Sequence, residues 1–258
     1  MRLMKRILSA AAVLALSASL LVGCSSGTAS SVPVSASSAA ESTVSSVEET
    51  ASSAVDENEA AAAQLLNDLT GSYQELWPVI LADEYQQTWL DDCTALVGEE
   101  NAEAAFEKLS SMVTGDVYGE DAVEAYANGG GAYFCGFTNS LATLTFDGET
   151  STISGTDKDG NVLFSHTYHY IGMEPVHGLY EFESDDADSG EFTYFFLAPD
   201  TSAETYHIEF RYGSDAEALS QYDADEYAYW VASGISTDCD QTMIDNCIEL
   251  FCTENLAG

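Results

Sequence analysis

Two residues two positions apart, His207 and Glu209, offer an imidazole and a carboxylate that could share one cation. They lie in TYHIEFRYGSD, where Tyr206, Ile208, Phe210 and Tyr212 alternate with His207, Glu209 and Arg211. Successive side chains of a strand point to opposite faces, so this period places the aromatic set on one face and His207 with Glu209 on the other, their Cα atoms about 6.6 Å apart. A plainer reading of the same pair is the solvent face of an amphipathic strand, with Glu209 beside Arg211 and at most about 1 kcal/mol between them. The chain contains no GxSxG elbow, no HExxH helix and no glycine-rich phosphate loop, and its 44 acidic residues mark out no two as a hydrolytic pair. Binding rather than catalysis is therefore expected.

The elements that must position this pair follow from periodicity. The run from His166 to Asp215 reads as four strands, YHYIGM, GLYEFES, FTYFFLA and YHIEFRY, with the acidic tip DDADSG turning the chain between the second and third. Two earlier hairpins are expected at Asp147-Gly148 and Asp159-Gly160, where the glycine supplies a positive φ. Asp157 and Asp159 lack the oxygen-rich spacing of a calcium loop, and a hairpin tip accounts for them. Helices are expected at NEAAAAQLLNDL, at DEYQQTWLDDCTALVG ending on Gly98, at AEAAFEKLSSMV and at EDAVEAYANGGG. The chain should return to helix in DAEALSQYDADEYAYWVA and DQTMIDNCIELF. Helices flanking antiparallel strands imply an open sheet or a small closed barrel with helices packed on it.

Ahead of this domain stands a leader. Residues 1–23 have a basic head (Arg2, Lys5, Arg6) and an apolar run that is too short to be a spanning helix with these flanks, as in a secretory signal. Its end, Leu21-Val22-Gly23-Cys24, resembles the lipobox of bacterial lipoproteins, which implies cleavage before Cys24, lipidation of Cys24 and an extracytoplasmic chain held on the cell membrane by its lipid alone. Residues 24–57 are mostly Ser, Ala, Val and Thr with no aromatic residue, the composition of a flexible tether reaching about 30 Å. Residues 58–258 then form one domain.

Charge and cysteines bound the partners. The formal net charge is −38, with only Lys108, Lys158 and Arg211 basic beyond the leader. Such a field repels nucleic acid and anionic headgroups and favours cations, although solubility alone is reason enough for it. Besides Cys24 there are five cysteines, Cys93, Cys135, Cys239, Cys247 and Cys252, none in CxxC spacing. Cys247 and Cys252 lie on the apolar stripe of the last helix, as core thiols or a local disulfide rather than ligands.

Several segments, taken in order, resemble the ZinT (YodA) family of extracytoplasmic zinc-recruiting proteins. LTGSYQELWP (69–78) is similar to that family's WxGxWQSVYP opening, YHYIG (168–172) to its YxYxGY strand, and YEFE (180–183) to its RYLFE strand. DADSG (186–190) is similar to its DADSGAPKY turn, FFLAP (195–199) to DHIIAP, and HIEFRYGSD (207–215) to HFHIFMGND, the whole spanning residues 65 to 252. The resemblance implies a mainly β, calycin-like (lipocalin-related) antiparallel barrel with flanking α-helices, a role in zinc supply and no catalysis. It also implies three zinc-binding histidines, whose positions fall on Phe195, His207 and Glu209 in this sequence, so only one is kept.

Zinc accepts carboxylate beside imidazole, and His207 and Glu209 would need a further donor. His177 after Pro175, and His169 on the strand before it, are the candidates. His169 and His166 lie three apart and so face opposite ways, and a tyrosine-flanked core or rim position suits both. The leading expectation is a lipid-anchored protein that binds zinc or another divalent metal and hands it to an importer of the ATP-binding-cassette class. The alternative is a barrel without metal that binds a small apolar molecule or a protein partner, favoured by Phe195 at a ligand position. Tyr180, Tyr194, Tyr206 and Tyr212 read as barrel packing first and as a ligand-stacking surface second.

Overall fold

A computed structural model describes residues 57–129, 133–198 and 207–256. The signal segment, Cys24, nearly all of the tether and Tyr206 lie outside the described residues. After helix α1 (57–68), the chain forms strand β1 (Gly71–Glu75) and four helices. These are α2 (Leu76–Ile80), α3 (Gln86–Val97), α4 (Ala102–Ser111) and α5 (Glu120–Ala127). Strands β2 (Thr143–Asp147), β3 (Thr152–Thr156), β4 (Val162–Met173), β5 (Tyr180–Ser184), β6 (Tyr194–Leu197) and β7 (His207–Gly213) follow. A short helix α6 (Ala216–Leu219), strand β8 (Ala232–Ser236) and helix α7 (Gln241–Leu256) complete the described chain.

All eight strands pair antiparallel with their neighbours in sequence, and β8 returns to β1 through Tyr73↔Ser236 and Gln74↔Ile235 to close a barrel. The expected barrel with flanking helices is thus the fold found. Eight strands enclose a space just wide enough for side chains to fill it. Here aromatic rings fill it. Phe164 stacks on Phe192 with centroids 4.0 Å apart, Phe195 lies 5.4 Å from both Tyr168 and Tyr212, and Phe137 meets Phe210 edge-on. Tyr212 anchors its hydroxyl on Thr138, donating to the carbonyl at 3.0 Å and accepting from the amide at 2.6 Å.

A second core lies outside the barrel wall. Trp77, Trp89, Leu109, Ile244, Ile248 and Phe251 of α2, α3, α4 and α7 pack together, and β8 contributes Ile235 to them. Trp89 donates its indole N–H to the carbonyl of Ile80 at 2.7 Å, tying α3 to the end of α2.

Two local expectations need correction, and two strands had not been expected at all. The helix expected across 215–232 stops at Leu219, because the carbonyls of Leu219, Gln221 and Tyr227 turn onto the guanidinium of Arg211 instead of continuing a helical ladder. Asp225 and Tyr229 take positive φ values in the resulting turns. Strands β1 and β8 carried no readable period. In β8, ASGIS, the small residues answer close neighbours: a Cβ on Gly234 would come within 3.3 Å of Ile208 and Phe137, and the amide of Ser233 bonds the carbonyl of Cys135. At the Asp147-Gly148 turn the positive φ falls on Ser151, not on Gly148. Gly148 is required because a Cβ there would overlap the backbone of Asn67 in α1. Gly160 takes φ 81° as expected, beside an Asp157 carboxylate that accepts from the amides of Asp159 and Asn161, a hairpin tip rather than a calcium loop.

Candidate functional site

The outer face of β7 carries the residues singled out above. Tyr212 pairs with Phe195 and Phe210 with Leu197 on the interior side, and Ile208 joins the same core. His207, opposite Ile235, and Glu209, opposite Ser233, therefore point outward into the layer beneath the helices. Phe195 is fully buried on the interior face. The three positions that the resemblance implies for zinc do not share a face in this chain.

Nor is the outer face of β7 a solvent face. Arg211 is wholly buried, which corrects the reading of an amphipathic strand with an exposed Glu209 and Arg211. The guanidinium donates to the carbonyls of Leu219, Gln221 and Tyr227 and lies over the ring of Tyr222. Burial holds the imidazole of His207 neutral by pulling its pKa down to about 4. Glu209 sits where its charge reaches two thiols and a phenol. Burial pushes up the pKa values of Cys135, Cys247 and Tyr222, and the carboxylate of Glu209 adds to each rise. Cys247 is pushed up to about 12.

His177 reaches this layer from the turn after β4. Its ring lies 3.8 Å from that of Tyr222, and its Nδ1 is 3.2 Å from Oε2 of Glu174. The Glu174 carboxylate is completely buried and also accepts from the amides of Val176 and His177. Burial alone would raise its pKa, but the bonds from the His177 side chain and these amides outweigh that and lower it. With Nδ1–H given to Glu174, Nε2 of His177 is the nitrogen left to accept a proton or a metal.

His169 is placed apart from this group, on the exposed side of β4, with Nδ1 2.8 Å from Asp185 and Nε2 3.9 Å from Glu183. His166 faces the other way, as its spacing implies, and pairs with Asp186 at 2.8 Å at the barrel rim. These are surface pairs worth about 0–1 kcal/mol each. The structure thus brings His207 and Glu209 onto one face and His177 into the same layer through Tyr222, and leaves His169 elsewhere. Among the described residues no three His, Cys, Asp or Glu side chains converge as a metal cluster would.

Sequence reasoning missed Glu174 and Tyr222 and gave Arg211 a solvent-face reading, whereas these three residues organise this layer. The signal available was a lone arginine inside a strand of an acidic domain, a residue type seldom buried without a dedicated set of acceptors.

A concavity of about 350 Å³ opens between the β1–α2 corner and the segments around Thr114 and Phe134, lined by Trp77, Leu81, Val113 and Phe134 with Glu75 and Cys135 among its polar lining. Oε1 of Glu75 accepts from the amide of Phe137 at 2.6 Å there. No helix among the described residues is long and apolar enough to cross a membrane.

No protein-family model and no curated protein sequence matches the chain. Among solved structures, the chain is similar to the Zn(II)-bound ZinT-like domain of Streptococcus pneumoniae AdcA, with 15% identity and a TM-score of 0.44 over 70% of this chain and 87% of that one. It is also similar to Zn(II)-bound AdcA of the same organism, with 15% identity and a TM-score of 0.40 over 71% of this chain and 34% of that one. Likeness at this level assigns no residue of the present chain a role.

Proposed function

We propose that this chain is an exported, lipid-anchored binding protein that takes a divalent metal, zinc foremost, through His207 and Glu209 for delivery to an importer. The observation that carries the reading is the outward pair on β7. A half-buried imidazole with its pKa pulled down to about 4 stays in the neutral form that binds metal, two residues along the strand from a carboxylate on the same face. Two donors from the chain leave coordination positions for water, His177 or a receiving protein, and a partly open shell suits cargo that must be released. His169 remains the outlying fourth candidate. The resemblance of residues 65 to 252 to zinc-recruiting proteins supports the same reading.

Titration calorimetry of zinc into metal-stripped protein tests it. One-to-one binding of micromolar strength or better, abolished by His207→Ala and weakened by Glu209→Ala, is expected. Weak, multi-site heat that neither substitution changes would mean that the acidic surface alone attracts the ion, and the reading would fail. Anchoring is tested separately, by lipid attachment that Cys24→Ser abolishes.

One observation favours a second reading. The barrel lumen is filled with rings, so a small apolar ligand would have to use the outer cleft beside Trp77 and Phe134. Binding of an apolar fluorophore that Phe134→Asp abolishes and zinc does not affect would select this alternative.

A further inference from the structure

Cys93 and Cys252 face each other across the helical layer with their Sγ atoms 3.9 Å apart. Cys93 is on α3 and Cys252 on α7, and neither side chain is exposed. Around them the two helices are held in a fixed relation, since Trp89, one turn before Cys93, meets Phe251 edge-on at 6.0 Å. All five described cysteines are free thiols, and Cys247, five residues from Cys252 on the same helix, projects about 140° away from it round the helix axis. A disulfide needs its sulfurs about 2 Å apart, so side-chain rotation and a small approach of the helices would close the gap.

We infer that Cys93 and Cys252 are the pair that forms a structural disulfide when the protein folds in the presence of a disulfide oxidant such as oxidised glutathione. The thiolate of one cysteine attacks oxidised glutathione, breaking its S–S bond and releasing one reduced glutathione. The thiolate of the second then attacks the mixed disulfide, forming the Cys93–Cys252 bond and releasing the second glutathione, which carries away the remaining thiol proton. Two electrons pass from the protein thiols to the glutathione disulfide. Burial raises the pKa values of both thiols in the folded state, so exchange occurs before α7 docks or while it is undocked. The bond would join residues 159 apart and enclose β2 to β8 in one loop. Long loops restrict the unfolded chain most, so the bond would act as a clasp on the barrel. The inference is independent of metal binding and rests only on the chain meeting such an oxidant, as export would arrange.

The test is a peptide map of the full chain refolded with oxidised glutathione and then alkylated without reduction. The expected result is a linked pair of peptides carrying Cys93 and Cys252, lighter by two hydrogens than the two reduced peptides together. Finding both cysteines alkylated, or Cys252 joined to Cys247, would overturn the inference. In melting experiments, reduction should lower the transition of the oxidised wild type to that of Cys93→Ser, and Cys93→Ser should not respond to reduction. An equal fall in the variant would assign the effect to another bond and overturn the clasp. If Cys93→Ser does not fold, the peptide map of the wild type decides alone.

Discussion

The guanidinium carbon of Arg211 lies 4.3 Å from the ring centroid of Tyr222, with the arginine wholly buried and its N–H groups turned to the carbonyls of Leu219, Gln221 and Tyr227. Backbone carbonyls and an aromatic face replace the lost water, and in return one side chain on β7 fixes the irregular segment after α6 against the barrel. Arg211→Leu would leave these buried carbonyls without a donor, at a cost of about 3–5 kcal/mol. Denaturant unfolding measures that loss, and hydrogen exchange should show the 220–230 segment opening first. Arg211→Lys keeps the charge but cannot reach three carbonyls at once, so it should recover only part of the stability.

Stability of the metal-free protein should fall as the medium is acidified below neutrality, and His207 is one cause. Its folded pKa is about 4, below the ordinary value of 6.5. Between these values the unfolded chain binds the proton and the folded chain does not, so stability rises with pH across this window and levels off above it. The shift sets an upper limit of about 3 kcal/mol, approached only as the pH falls below 4. His207→Gln should flatten the dependence between pH 4 and 6.5, measured as unfolding midpoints in denaturant. An unchanged slope would show that the ring is not held neutral by burial.

The legible part of this fold was the part with strong alternation. YEFES and HIEFRYG announce themselves because aromatic residues occupy every second position, YFFL because it is a continuous apolar run, and the hairpin tips at Asp159-Gly160 and 185–190 are written in turn residues. ASGIS was illegible because the residues that contact Gly234 and Ser233 come from Ile208, Phe137 and Cys135, distant in sequence, and small size rather than period is what those neighbours require. The alternation of β7 also placed His207 and Glu209 on one face correctly. What it could not convey is that both faces are covered, since that depends on the chain from 215 to 231 folding back over Arg211. A chain that reads as amphipathic can be covered on both sides when its polar face finds hydrogen-bond acceptors there.

The Asp147-Gly148 turn makes a sharper test of why its glycine is present. If backbone freedom were the reason, alanine would cost under about 1 kcal/mol. The structure instead places Gly148 against the backbone of Asn67, with its own amide donating to Thr70 Oγ1 at 3.0 Å. Backbone atoms cannot yield as a side chain can. Gly148→Ala should therefore cost about 1–3 kcal/mol and detach α1 from the barrel end, seen as faster exchange of the 57–68 amides.

Phe195 offers the test that separates resemblance from geometry. A histidine placed there supplies the residue type that the sequence resemblance implies at this position. In this chain, however, position 195 faces Tyr212 inside the barrel while His207 and Glu209 face outward, and a strand cannot bring both faces to one ion without a register shift. Phe195→His should leave zinc affinity within about twofold of wild type, a difference near 0.4 kcal/mol. It should also destabilise the fold by about 3 kcal/mol, because the ring packs on Tyr168, Phe210 and Tyr212 and an imidazole buried there finds no partner in that packing. Calorimetric titration beside thermal unfolding separates the two effects. A gain of tenfold or more in zinc affinity would mean that β6 and β7 can present positions 195, 207 and 209 together, and the outward site would have to be abandoned for one inside the barrel.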